Sequence, residues 1–323
     1  MKTRFNKLAI ALAGTLGLGF AGQASADVYG LGFLQVDNLT IEETSPGGFG
    51  IPGLYTFNTN ADAILNGVPD LSSGAANCGG DALGSTSCTG VAPVLSGTVQ
   101  NAPNGDVTRL ENDYTIFGTG SQYSNAEAAI DDAVLTGGVA TDTRQIAESN
   151  IVGGITAQAN TNVGSNTFLE FNFTVTGGIG ELTIDFDAIV DVKAEVTDPS
   201  QGIARASSSL SVDIANSLGQ TVLLWSPTGN NTVTTCGTGN CVATETGPSL
   251  NNSVSSFGTP ATRINGNGTY TLVIGNLAEG DYTIALAGTT STDLFRQPVP
   301  VPSTLLLMGA GLLLGSRTLR RKK

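Results

Sequence analysis

Glu181, Asp185, Asp187 and Asp191 fall at odd positions within one eleven-residue stretch, and their spacing is the one arrangement in the chain that offers catalytic chemistry. Alternate residues of a strand share a face and lie about 7 Å apart. That is close to the separation at which a pair of carboxyl groups can act as acid and base around a water in glycoside hydrolysis. Asp185, Asp187 and Asp191 are also the candidate ligands for calcium, which takes about six to eight oxygens in a compact shell. No EF-hand loop and no Gly-Gly-x-Gly-x-Asp repeat is present to build such a shell. A polar face turned to water produces the same alternation with no chemistry, and that is the reading adopted: no catalytic residue and no cofactor is expected, with calcium the one cation worth testing.

Other devices are absent from the composition. The sequence contains 0 His, which removes the Ser-His-Asp and Cys-His nucleophile systems and the commonest metal ligand. There is no Gly-x-Ser-x-Gly elbow and no phosphate-binding glycine fingerprint in strand-to-helix context. The 4 Cys fall in two local pairs, Cys78 with Cys88 and Cys236 with Cys241, each closing a Gly-, Asn- or Thr-rich stretch. Local disulfides are the expected pairing, against two other connectivities, and a four-cysteine zinc site is disfavoured. Trp225, the single Trp, ends the run "TVLLWSP". A half-buried structural role is expected there rather than a sugar-stacking platform.

Both ends carry chemistry of a different kind, done to the chain rather than by it. Residues 1–26 combine a basic start (Lys2, Arg4, Lys7), an apolar run and the small-residue site Ala24-Ser25-Ala26. That is the layout of a secretory signal peptide cut by signal peptidase before Asp27. At the other end, Leu305, Leu306, Leu307, Leu312, Leu313 and Leu314 form a charge-free run closed by Arg317, Arg320, Arg321, Lys322 and Lys323. Counted from Val299 it reaches the short end of the range for a bilayer span, about 17–25 residues. The basic cluster keeps the cytoplasmic side, which places the body across the inner membrane. Pro298, Pro300 and Pro302 mark the boundary between body and span.

The frame Val299-Pro300-Val301-Pro302-Ser303, the Leu/Gly span and the Arg-rich end resemble the PEP-CTERM sorting signal of Gram-negative bacteria, with Val301 where Glu is usual. The resemblance implies processing by exosortase, a membrane cysteine protease or transpeptidase, after transient anchoring in the inner membrane. It also implies release to the outer surface or extracellular matrix and a link to exopolysaccharide and biofilm. The stretches "DVYGLGFLQVDNLTI", "RQIAESNIVGG" and "FLEFNFTV" resemble the EDSAP-type subfamily of these proteins, although a Glu-Asp-Ser-Ala motif is absent.

The elements between the two ends make up an acidic body, residues 27–297. It holds all 27 Asp and Glu against six basic residues, for a net charge of −21. Such a body repels nucleic acid and stays soluble by self-repulsion. Leu169, Phe171, Phe173 and Val175 alternate with polar residues up to Gly177-Gly178, and Leu182, Ile184, Phe186, Ala188, Val190 and Val192 alternate after it. This predicts an antiparallel hairpin with one buried face. Residues 204–226 and 268–291 continue the pattern. The expected fold is an all-β, jelly-roll-like antiparallel sandwich with its core in 167–293. A long loop region over about 45–104, a short helix near 124–136, an N-terminal signal helix and a C-terminal transmembrane helix complete the expectation. The function expected is that of a non-catalytic surface or matrix protein. A carbohydrate- or calcium-binding adhesin and a glycan-active enzyme with paired carboxylates are the alternatives.

Overall fold

The computed structural model describes residues 27–47, 49–50, 54–81, 85–89, 95–99, 114–131, 141–152, 157–197, 202–257 and 261–296. The signal segment, the tail and the helices expected in them lie outside these. Seventeen strands run in chain order: β1 Val28–Thr44, β2 Phe49–Gly50, β3 Leu54–Leu65, β4 Val68–Asp81, β5 Ser85–Thr89, β6 Leu95–Val99, β7 Tyr123–Asp131, β8 Thr141–Ile151 and β9 Ala157–Val175; then β10 Gly180–Val196, β11 Gly202–Asn216, β12 Thr221–Trp225, β13 Thr235–Cys236, β14 Cys241–Glu245, β15 Asn252–Ser256, β16 Thr262–Leu277 and β17 Gly280–Arg296. No helix occurs among the described residues.

The strands form two antiparallel sheets. One has the order β14-β16-β10-β1-β8-β7-β6; the other runs β13-β12-β11-β17-β9-β3-β4-β5, with β15 added to β11 and β2 to β9. The alternation read from the sequence fixes which side of each strand is covered. Leu182, Ile184, Phe186, Ala188, Val190 and Val192 of β10 are buried, and so are Val212 and Ile214 of β11 and Ile284 and Leu286 of β17. These side chains meet in one cluster that also takes in Val28, Leu34 and Val36 of β1 and Ala63 and Leu65 of β3. Aromatic rings pack within it: Phe186 stacks on Tyr270 at 5.4 Å and tilts against Trp225 at 5.7 Å, and Phe173 stacks on Tyr282 at 5.2 Å. Elsewhere the layers nearly touch. A Cβ on Gly32 of β1 would lie 2.6 Å from the Ser207 carbonyl of β11, so only glycine fits there.

Four expectations need correction. The Gly177-Gly178 turn does not close a hairpin: β9 pairs with β17, β3 and β2, whereas β10 pairs with β1 and β16. The chain turns a corner from one sheet to the other. Period two reports one buried face and is the same whether two strands lie side by side or face each other across a core. The stretch expected as a helix near 124–136 begins as strand β7, as far as the described residues reach. Ala126 and Ala128 alternate as well as they fit a helical face, and pairing along Ala126↔Ala147 and Ala128↔Gln145 decides between them. The region expected as loop over 45–104 contains β2 to β6. Its Gly, Ser and Asn content hid polar strands, and Asn66-Gly67, with φ of 52° and 80°, makes the two-residue turn between β3 and β4. Finally, the core is wider than 167–293, because β1, read as an opening element, lies between β10 and β8 inside its sheet.

Cys236 and Cys241 form a disulfide with a sequence separation of 5. β13 belongs to one sheet and β14 to the other, so the bond closes a turn that crosses between layers. Loop-closure entropy puts the gain from so short a loop at about 2 kcal/mol. Reduction is therefore expected to lower the thermal midpoint by several degrees in paired melts with and without reductant; an unchanged midpoint would leave the turn held by its backbone bonds alone. In β4 and β5 the register sets Cys78 opposite Cys88, the arrangement that the expected local pairing requires.

Candidate functional site

Asp185, Asp187 and Asp191 share the outer face of β10, as the alternation requires, but each is engaged by a neighbouring strand. Thr271 of β16 donates to Asp185 at 2.7 Å. Thr269 donates to Asp187 at 2.8 Å, and the Asn38 amide donates to it at 3.1 Å. Asp191 is 8 % exposed and receives two bonds from the Arg263 guanidinium, from Nε at 2.8 Å and Nη2 at 2.5 Å. This forked geometry is the strong form of the Arg–carboxylate pair. Asp191 is thus a strut between β10 and β16. Among the described residues no three His, Cys, Asp or Glu side chains converge closely enough to hold a metal ion.

Carboxylates gather instead where β1 bulges between Asp37 and Thr40. Asn38 takes a left-handed φ of 58° there, and its backbone N–H donates to Asp142 at 2.9 Å while its side chain reaches Asp187. Asp37 lies opposite Asp187 and accepts from the Gln35 amide. Desolvation raises the Asp37 carboxyl above its ordinary range; Gln35 opposes this, and the Asp142 charge adds to it. The grouping was not legible in the sequence, because a bulge is what brings positions 38, 142 and 187 together.

Glu148 and Glu245, two of the carboxylates buried among the described residues, were also missed. Glu148 of β8 is 0 % exposed and accepts from the Tyr29 hydroxyl at 2.8 Å and from the backbone N–H groups of Phe117 and Gly118 at 3.2 and 2.8 Å. It latches the segment 114–122 over the outer face of β1 and β8, where Tyr29, Leu31 and Ile146 form a small cluster with Phe33 and Tyr114 against it. Glu245 of β14 accepts from Trp225 Nε1 at 2.8 Å and from the N–H groups of Thr228 and Asn230 at 3.1 and 2.9 Å. Trp225 is 0 % exposed, more deeply placed than the half-buried position expected, and its role is structural. Both carboxylates organise loops through backbone donors, a use that leaves no periodic signature in a sequence.

The phenols packed beside these groups give the body an alkaline limit. Burial, then the Glu148 charge, raises Tyr29 above the tyrosine range; burial and then Glu245 push Tyr270 up to about 12; burial raises Tyr282. The folded chain therefore holds these protons more tightly than the unfolded chain. Their contribution to stability is complete below the ordinary value of 10.0 and declines above it, Tyr270's part being lost as the pH rises through about 12. Urea midpoints are expected to be level on this account up to pH 10 and to fall beyond it; a flat profile to pH 12 would contradict the burial of these rings.

Asp27 is the first described residue. Its backbone N–H donates to Thr197 Oγ1 at 2.7 Å, and its carbonyl accepts from the Thr197 N–H at 3.0 Å. Ala24 and Ala26 lie outside the described residues, as do Val299 to Ser303, the leucines from Leu305 to Leu314, and Arg317, Arg320 and Arg321. The described chain ends at Arg296, the last residue of β17, 1 % exposed.

Comparison with known families places a PEP-CTERM protein-sorting motif at residues 298–323, which the expected sorting frame and basic stop occupy. The matched model covers this tail; the EDSAP-type reading of the body rests on sequence resemblance alone. No curated protein matches the chain. Among solved structures, a chain of "Structure of infectious bursal disease virus Gt strain" is 10 % identical over 93 % of this chain and 90 % of its own, with a TM-score of 0.11, which carries no argument about fold. The motif implies export, a membrane-anchored sorting signal at the C-terminus and processing by exosortase.

Proposed function

We propose that this chain is a structural protein of the cell surface or extracellular matrix, without catalytic activity of its own. Signal peptidase would cut after Ala26 and exosortase near Pro300-Val301-Pro302, delivering the acidic body to an exopolysaccharide-containing layer. The observation that carries the reading is the join between sandwich and motif: Gln297 alone separates Arg296, the end of β17, from the sorting motif at 298–323. The whole folded body is thus cargo, with no linker domain between it and the signal. The carboxylates of β10 support the same view, since Thr269, Thr271, Asn38 and Arg263 engage them in ways that stabilise strand pairing.

The acidic body, with its net charge of −21, suits a hydrated layer in which self-repulsion keeps copies dispersed. Fractionation of the native host tests the assignment. The body is expected in the washed matrix or outer-surface fraction, and a body confined to the periplasm would refute it. Turnover of a host polysaccharide that is lost in Asp185→Asn or Asp187→Asn would replace it with the enzyme reading.

A further inference from the structure

The space between the sheets changes character where β8 faces β17. Thr292 Oγ1 of β17 donates to Ser149 Oγ of β8 at 3.0 Å, and a Cβ on Gly288 of β17 would lie 2.5 Å from Gln145 Nε2 of β8. On each strand the two positions are four residues apart, so the strands run in step. Ala147, midway on β8, therefore stands opposite Thr290, midway on β17.

These contacts make a polar seam inside the sandwich. Within its own sheet, Gln145 has Leu34 of β1 on one side and Ala128 of β7 on the other. Leu34 belongs to the large apolar cluster, and Ala128 to a separate one with Ala61, Ala126 and Ala147. At one end the seam is closed by hydrogen bonds, since Ser149 accepts from Thr292 and donates to Ser124 at 3.5 Å. At the other end it is open. Gln145 and Thr290 are 1 % and 0 % exposed, yet among the described residues neither Gln145 Oε1 nor Thr290 Oγ1 meets a hydrogen-bond partner. Folded proteins rarely leave such oxygens unpaired, and an enclosed water or ion accounts for many that have no protein partner.

Gln145 and Thr290 do not bond to each other. The carboxamide lies over Gly288, two residues before Thr290 on the same face, and alternate residues are about 7 Å apart. Small residues surround the gap: Ala147 over Thr290, Gly32 opposite Ala147 on β1, and Gly288 beneath the carboxamide. The two oxygens set the chemistry of a guest. Gln145 Oε1 only accepts, so the guest must donate; the Thr290 hydroxyl can do either. An anion has nothing to donate. A calcium ion would find two neutral oxygens where about six to eight are needed. Water is neutral, donates and accepts, and is held inside proteins by about two to four such partners.

We propose that the sandwich binds a water molecule between its sheets at this point, donating to Gln145 Oε1 and sharing a hydrogen bond with Thr290 Oγ1. The strands β8 and β17 are then joined twice across the interior, once directly through Ser149 and Thr292 and once through the water. A bridging water is nearly as good a link as a direct bond. It also explains why polar side chains are kept at positions 145 and 290, between two apolar clusters that would otherwise merge. The site belongs to the folded body and is independent of how the chain is sorted.

The test compares the mature chain, Asp27 to Lys323, with Thr290→Val, which keeps the shape and removes the hydroxyl, and with Thr290→Ser, which keeps the hydroxyl. With the water bound, Thr290→Val strips it of a partner and the urea midpoint falls. A rise in the midpoint would mean that the hydroxyl is buried without a guest, and would overturn the site. Oxygen-17 relaxation dispersion registers waters held inside a protein. Its amplitude is expected to drop by one water in Thr290→Val and to persist in Thr290→Ser; equal amplitude in all three proteins would contradict the proposal. Crystals of the unmodified chain decide the matter without any variant. An oxygen at about 2.7–3.2 Å from both Gln145 Oε1 and Thr290 Oγ1 is expected, and a direct bond between the two residues, or an empty gap, would overturn it.

Discussion

Trp225→Ala is expected to destabilise the body by about 3–5 kcal/mol, the range for truncating a large aromatic core residue. The indole is 0 % exposed and wedged against Phe186, which in turn stacks on Tyr270. Its loss opens a cavity between the two sheets, beside Phe186. It also removes the Trp225 Nε1 donor from Glu245, leaving a carboxylate that is 7 % exposed with its two backbone donors alone. A buried acceptor short of a partner costs about 1–3 kcal/mol. Trp225→Phe separates the two effects: it keeps most of the packing and loses the bond, and should cost the smaller amount. Chemical-denaturation midpoints of the three proteins would show this order. A loss below about 1 kcal/mol for Trp225→Ala would mean that the aromatic cluster does not organise the core.

Removal of residues 298–323 should abolish delivery while leaving the fold intact. The last core residue before the tail is Leu294, and Arg296 ends β17 within its sheet, so the deletion takes nothing from the described sandwich. The truncated body is expected to be as stable as the full chain in urea, and to accumulate in soluble form rather than on the outer surface. Because a sorting signal either engages its processing enzyme or does not, the effect on surface yield should be near total. Replacing the basic cluster from Arg317 to Lys323 with neutral residues should give an intermediate result, since those charges set the orientation of the span. Undiminished surface delivery of the truncated chain would place the address somewhere in the body.

The tail was the most legible part of the sequence because its information is linear. A proline boundary, an apolar run and a basic stop are recognised in order, without tertiary contacts. The strand character of β10, β11, β16 and β17 was legible for a related reason, as each buries one face and the alternation records it. Partnership between strands was not. Leu182 and Phe173 belong to facing sheets, although the chain between them reads like a hairpin. Asp191 and Arg263 meet across β10 and β16 from 72 positions apart, and nothing local to either marks the other. The same limit hid Glu148, whose backbone donors at Phe117 and Gly118 lie about thirty residues upstream. At β7 local propensity favoured a helix for "NAEAA", and the ladders with β8 and β6 show why a strand prevails.

Mass spectrometry of the C-terminus of the protein isolated from its native host distinguishes a cleaved sorting signal from an anchor. A terminus near Pro302 is expected, with everything from Leu305 onward missing and any group attached by the processing enzyme visible as added mass. An intact terminus at Lys323 in the membrane fraction would contradict it, and would make the tail a permanent anchor.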